Sequence, residues 1–157
     1  MKMTPQLLKA AAKMKAGDIS RDGFLGRDER DLAAILDEQH AACLRLGVGY
    51  EQIAREMRRI GNAGAGGFGA PVEVDGKWSV IVDENRGKIP CPWPHPGVYQ
   101  KTVYTVENLR TGQTVRYSAL TIHLIFNHGF FQGEGAPFYN SPATLVSVLE
   151  IAPEAEE

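Results

Sequence analysis

The sequence has few cysteines, no long apolar run and no excess of charge of one sign. Its two cysteines, Cys43 and Cys91, lie 48 positions apart, so they form no disulfide framework and fit a reducing compartment. No stretch approaches the roughly 18 apolar residues of a membrane helix, and the first residues lack the apolar run of a signal peptide. With 17 Lys and Arg against 19 Asp and Glu, the net charge of −2 disfavours nucleic acid as a partner. We therefore expect a cytoplasmic protein without membrane segments, with another protein as its partner.

The 157 residues are enough for one ordinary domain with its own apolar core. Helical patterns fill residues 1–60, and a glycine-rich segment, 61–71, follows as a linker. Residues 72–157 show strand and turn patterns before two more helices. The alternative is a single compact domain over the whole chain. Any bound metal would thus support a core rather than replace one.

Three helices are expected in the first part of the chain. Thr4-Pro5 is a typical helix start, and Gly17 closes the segment. A second helix is expected from about Asp28 to Leu46, and a third over residues 51–60. The glycines that follow cannot hold a helix, because each interior glycine costs about 1 kcal/mol relative to alanine.

Residues 18–29 resemble the EF-hand calcium loop, with Gly23 at the sharp turn. The resemblance implies calcium ligands at positions 1, 3, 5 and 12, which are Asp18, Ser20, Asp22 and Glu29. However, Gly17 interrupts the preceding helix, and no second loop pairs with this one. We favour the simpler interpretation, a connector whose Asp28 caps the next helix.

Two further patterns are incomplete. Residues 46–54 resemble the first half of a helix-turn-helix unit, but glycines stand where the recognition helix should be. Gly64, Gly66 and Gly69 satisfy G-x-G-x-x-G, yet they follow a helix and precede an extended run, the reverse of a dinucleotide-binding fingerprint. We favour a linker, with a mobile lid over a site as the alternative.

Two β-hairpins are expected in the second part. Asp75-Gly76 is a two-residue turn between Val72–Val74 and a run of strand-forming residues from Lys77 to Val82. The polar residues 83–88 are expected to form an exposed turn. A second hairpin spans 101–117, with its turn at residues 110–112.

The strongest chemical signal lies in residues 91–128, which hold one of the two cysteines and three of the four histidines. Prolines alternate with Cys91 and His95, so that this loop is stiff. Ser118 is a good cap for a helix over residues 120–128, which carries the two remaining histidines. The candidate metal ligands are Cys91, His95, His123 and His128.

This order of ligands, hairpin and helix resembles the zinc-finger plan over about a quarter of the chain. It differs in having C-x3-H where two cysteines are usual. His123 and His128 are five residues apart, about 140° around a regular helix. The helix must therefore loosen at residues 127–129 for both imidazoles to reach one ion. The resemblance implies zinc, although one thiolate with three imidazoles defines the metal less strictly.

Several alternatives remain for this region. The helix is apolar on nearly every side, so the alternative to a metal ligand is that His123 is a core histidine bonded to a carbonyl. A catalytic zinc would keep one open position and a carboxylate base, for which the candidates are Glu84, Glu107 and Glu134. Cys91 could also act as a nucleophile with His95 or His123 as its base.

Residues 129–140 alternate aromatic residues with glycines, and Phe130 and Phe131 are expected in the core. Ser141-Pro142 begins a last helix, and an acidic, frayed tail follows it. We thus expect an α+β protein with N-terminal helices, two hairpins, a metal-clasped helix and a short C-terminal helix. We favour a non-enzymatic binding or regulatory protein with structural zinc; the alternative is a metal-dependent hydrolase or nuclease.

Overall fold

The computed structural model describes residues 1–154, which form five α-helices and one four-stranded antiparallel sheet. The helices are α1 (Pro5–Lys13), α2 (Leu32–Leu46), α3 (Tyr50–Ala63), α4 (Ala119–His128) and α5 (Pro142–Val148). The strands are β1 (Val72–Val74), β2 (Trp78–Pro90), β3 (Val98–Asn108) and β4 (Thr114–Ser118). This confirms the expected α+β class, the two hairpins and the short C-terminal helix.

Side-chain caps set the start of α1, but the expected start of α2 is wrong. Thr4 accepts the N–H of Leu7 at 3.1 Å, as its position before Pro5 predicts. Helix α2 begins at Leu32, because Asp31 rather than Asp28 caps it and accepts the N–H of Ala34 at 2.8 Å. The Asp28 carboxylate instead binds the guanidinium of Arg30.

Helix α3 extends farther than the glycine content predicts, since it continues through residues 61–63. The aromatic ring of Tyr104 packs directly on Gly61, where any Cβ atom would stand 2.7 Å from that ring. The Tyr104 hydroxyl also donates to the side-chain oxygen of Asn62 at 3.0 Å. Close packing on the sheet thus outweighs the weak helix propensity of glycine.

The sheet is a meander in the order β1-β2-β3-β4. Asp75 and Gly76 both have positive φ, at 55° and 68°, as a type I′ hairpin turn requires. The expected turn at residues 83–88 is wrong, because this segment continues β2 and pairs with β3, with one irregularity between Asn85 and Lys88. Polar side chains suit residues 83–88 because they are exposed to solvent, while the backbone of this segment still pairs with β3.

Helix α4 lies between two hydrophobic cores, which explains its nearly uniform apolar surface. The larger core joins the sheet to α3, α5 and the Ile122 and Ile125 side of α4. The smaller core joins α1, α2 and the loop after β2 to the Leu120 and Leu124 side of α4. Phe130 lies in the smaller core and Phe131 in the larger one, and both are fully buried as expected.

Among residues 1–154, no helix has both the length and the apolar character needed to span a bilayer. The acidic tail expected after the last helix ends in residues 155–157, which lie outside the described residues.

Candidate metal centre

The loop between β2 and β3, residues 91–97, brings Cys91 and His95 to the end of a long hairpin. Cys91 is 5% exposed and Trp93 is 7% exposed, and both belong to the smaller core. The indole of Trp93 packs edge-on against Phe130, with ring centroids 5.6 Å apart. Apolar burial therefore holds this proline-rich loop against the segment that follows α4.

The end of α4 supplies His123 and His128. The N–H of Gly129 donates to the carbonyl of Ile125 at 2.9 Å, and the N–H of Phe130 donates to the carbonyl of Leu124 at 3.1 Å. Gly129 has φ 60°, which lets the chain leave the helix directly after His128. The chain therefore departs from the helix at Gly129, the last of the three residues where loosening was expected, and His128 itself is still helical.

The tertiary structure brings Cys91, His95, His123 and His128 together. One ligand atom from each side chain lies within 4.8 Å of the others. His95 Nε2 lies 3.2 Å from His123 Nε2 and 3.3 Å from His128 Nε2. The Sγ atom of Cys91 lies 3.5 Å from His128 Nε2. The four side chains thus form one Cys–His₃ group that could hold a metal ion.

Three of the six interligand separations match the edges of a tetrahedral zinc site, and the other three are at most 4.8 Å. With Zn–N about 2.05 Å and Zn–S about 2.3 Å, tetrahedral angles place two nitrogens about 3.3 Å apart, and a nitrogen and a sulfur about 3.6 Å apart. The two nitrogen–nitrogen separations and the sulfur–nitrogen separation each fall within about 0.2 Å of these values.

A hydrogen bond orients the His95 imidazole so that its Nε2 faces the centre of the group. His95 Nδ1 lies 3.0 Å from the carbonyl oxygen of Pro96 and must donate to it, because a carbonyl only accepts. A neutral His95 then presents an unprotonated Nε2. A partner of this kind on the second ring nitrogen is typical of metal-binding histidines. The Tyr99 hydroxyl lies 2.9 Å from His123 Nδ1 and 3.2 Å from His123 Nε2.

Aromatic rings enclose the histidines from two sides. Trp93 stacks on His128 with ring centroids 4.1 Å apart and planes 7° from parallel. Tyr99 stacks on His123 at 4.3 Å. The contact of Tyr99 with the histidines was not predicted, because β3 was expected to begin at Lys101 and Tyr99 lies before that point. Strand alternation from Val98 onward would have been the signal that includes it.

Burial shifts the pKa values of His123, His128 and Cys91. It lowers the pKa of His123 to about 4, and nearby His95 adds to this effect. Burial likewise lowers the pKa of His128 to about 4. Neutral imidazole is the form that binds a metal. Burial raises the pKa of Cys91 to about 11, so a thiolate there needs a neighbouring cation.

The other candidate residues do not join this group. Within residues 1–154, the Cys–His₃ group is the one set of three or more His, Cys, Asp or Glu side chains placed to share an ion. It therefore contains none of the carboxylates considered as bases, and Asp18, Asp22 and Glu29 form no such set. In the segment that resembles a calcium loop, the Ser20 hydroxyl accepts the N–H of Gly23 at 3.1 Å.

No protein-family model, no curated protein and no solved structure matches this chain. The geometry of the Cys–His₃ group and its surroundings is therefore the basis for assigning a function.

Proposed function

We propose that this protein binds one zinc ion through Cys91, His95, His123 and His128. The observation that carries the proposal is that all four ligand atoms lie within 4.8 Å of one another, with three separations of 3.2, 3.3 and 3.5 Å that match tetrahedral values. One thiolate and three imidazoles in this geometry suit zinc better than metals that prefer oxygen ligands or planar sites.

The role proposed for the ion is structural. Four protein ligands fill a tetrahedral site, whereas hydrolytic zinc keeps a position for water and uses a nearby carboxylate. The ion would join the 91–97 loop to the end of α4, two segments far apart in the sequence. It would thereby fix the margin of the smaller core, where Cys91 and Trp93 are buried.

The biological role proposed is that of a non-enzymatic binding or regulatory protein with a protein partner. The mixed surface charge supports this over nucleic-acid binding. Phe68 also supports it, because this side chain is 97% exposed and sits at a positive φ of 51°. Exposed aromatic residues are enriched in protein interfaces.

The two buried cysteines offer a matched test of the metal site. Cys43 lies in the larger core, outside the Cys–His₃ group, and is 5% exposed like Cys91. Elemental analysis should find about one zinc per chain in the wild type and in Cys43→Ala, and far less in Cys91→Ala. A chelator should lower the melting temperature of the first two proteins and leave the third nearly unchanged. Zinc well below one per chain in the wild type would refute the proposal.

X-ray absorption at the zinc edge tests the structural role. One sulfur at about 2.3 Å and three nitrogens at about 2.0–2.1 Å are expected. Three protein ligands with a bound water would contradict the structural role and favour the hydrolase or nuclease.

A further inference from the structure

A cleft of about 380 Å³ lies beside the hairpin formed by β2 and β3, and it is separate from the Cys–His₃ group. Its other walls come from residues 20–24, the start of α4 and the segment 132–138. Small-molecule sites usually have volumes of about 300–1,000 Å³ and mostly apolar walls. The size of this cleft therefore suits a small organic ligand.

Gln132 is the unusual residue of the cleft. It is 2% exposed and has a positive φ of 73°, which is rare for a residue other than glycine. Its backbone carbonyl accepts the Gln39 side-chain amide at 2.8 Å. Its own side-chain amide has no hydrogen-bond partner among residues 1–154.

The absence of a hydrogen-bond partner for the Gln132 amide indicates whether its atoms are enclosed or accessible. No fully enclosed side-chain nitrogen or oxygen in residues 1–154 lacks a hydrogen bond. The amide atoms of Gln132 are therefore not fully enclosed, and Gln132 is one of the residues that line the cleft. A buried polar group in this position favours a ligand that can hydrogen-bond to it.

The walls around Gln132 are built by close backbone packing. A Cβ atom on Gly133 would collide with the backbone of Leu25, and one on Gly23 would collide with the backbone near Met14. The N–H of Gly133 also donates to the carbonyl of Phe24 at 2.9 Å. These contacts leave the walls little freedom to collapse, so the cleft is formed before any ligand binds.

The interior and the rim of the cleft differ in character. Phe24 and Leu120 are buried and supply apolar contact surface. Arg21, Lys101 and Asp22 lie exposed at the rim. Within residues 1–154, neither of the two cations forms an ion pair. Two cations against one carboxylate favour an anionic group at the mouth of the cleft.

We propose that this cleft binds a small carboxylate with an apolar, preferably aromatic, body and a hydroxyl or carbonyl group at the opposite end. The body lies on Phe24 and Leu120, and the hydroxyl or carbonyl end hydrogen-bonds to the Gln132 amide. The carboxylate remains at the rim beside Arg21 and Lys101. This proposal does not depend on the zinc site.

Three matched probes separate these contacts in calorimetric titrations of the full chain. They are 3-(4-hydroxyphenyl)propionate, 3-phenylpropionate, which lacks the hydroxyl, and 3-(4-hydroxyphenyl)propanol, which lacks the charge. The hydroxy acid should bind about fivefold more tightly than the acid without the hydroxyl. It should also bind about threefold more tightly than the alcohol at low salt.

Variants assign each preference to a residue. Gln132→Met keeps the length of the side chain and should abolish the preference for the hydroxyl alone. Lys101→Gln should reduce the preference for the carboxylate. Lys88 lies on the same hairpin but outside the cleft, so Lys88→Gln should leave this preference unchanged. Because Lys101 and Lys88 are exposed on strands, these two variants test the proposal even if Gln132→Met fails to fold. No saturable binding of the hydroxy acid, or equal binding of all three probes, would overturn it.

Discussion

The larger and the smaller core are stabilised differently. Among the described residues, 21 buried side chains form the larger core and 11 form the smaller one. The larger core packs one face of the sheet against helices, and the smaller core has a proline-rich loop and the Cys–His₃ group at its margin. Apolar burial decreases as a core becomes smaller, so a metal contributes most where burial is least. We therefore expect metal removal to loosen the smaller core before the larger one.

The neighbouring Phe130 and Phe131 provide the most severe test of this comparison, because they occupy different cores at 0% exposure. Each replacement by alanine should lower the free energy of unfolding by about 3–5 kcal/mol, since it removes a fully buried ring. Phe130→Ala should also weaken metal retention, because Phe130 supports Trp93, which stacks on His128. Phe131→Ala should retain the metal. Denaturant unfolding and metal competition with a chelator measure the two effects.

Equal metal retention in the two alanine variants would contradict the assignment of the metal to the smaller core. Leu145→Ala is a further control, because Leu145 is fully buried in the larger core and belongs to α5.

A smaller effect is expected at Gly61, which tests the packing of α3 on the sheet. Gly61→Ala should gain up to about 1 kcal/mol in helix propensity and lose about 1–3 kcal/mol through its clash with Tyr104, a net loss of about 1 kcal/mol. Gly66→Ala is the control, since a Cβ atom there meets open space. Stabilisation by Gly61→Ala in denaturant unfolding would show that α3 is not held against the sheet as described.

A pH dependence is also expected at the Cys–His₃ group, beside the smaller core. Burial lowers the folded-state pKa of His123 and His128 to about 4, below the value of about 6.5 for an unfolded chain. Between these values the unfolded chain binds more protons, so the free energy of unfolding should fall as pH decreases from about 6.5 to about 4. Unfolding of the chelated protein at several pH values measures this slope. The double variant His123→Gln/His128→Gln should flatten it, and an unchanged slope would exclude these two histidines as its source.

Much of the fold could be predicted from local signals. Thr4, Ser118 and Ser141 were expected to begin helices, and each side chain accepts a backbone N–H of the following turn. The turn at Asp75-Gly76 was also expected. Residues 83–88 were wrongly expected to be a turn, because their polar composition does not reveal that β3 supplies their hydrogen-bond partners.

The candidate site was predicted in part. Cys91, His95, His123 and His128 were selected from the sequence, and the structure brings their ligand atoms together. Tyr99 and Trp93 were not selected, because their contacts with the histidines depend on the register of β3 and on the path of the 91–97 loop. The cleft around Gln132 was also not foreseen, because its walls come from segments distant in the sequence.

The sequence by itself determined the order of most elements, their caps and the residue types available for metal binding, since these depend on neighbours only a few positions away. Tertiary structure alone decided that α4 lies between two cores and that a hairpin loop meets its last turn. Only long-range strand pairing and apolar burial bring these segments together, because the entropy cost of closing the connecting chain must be offset by contacts that local sequence does not specify.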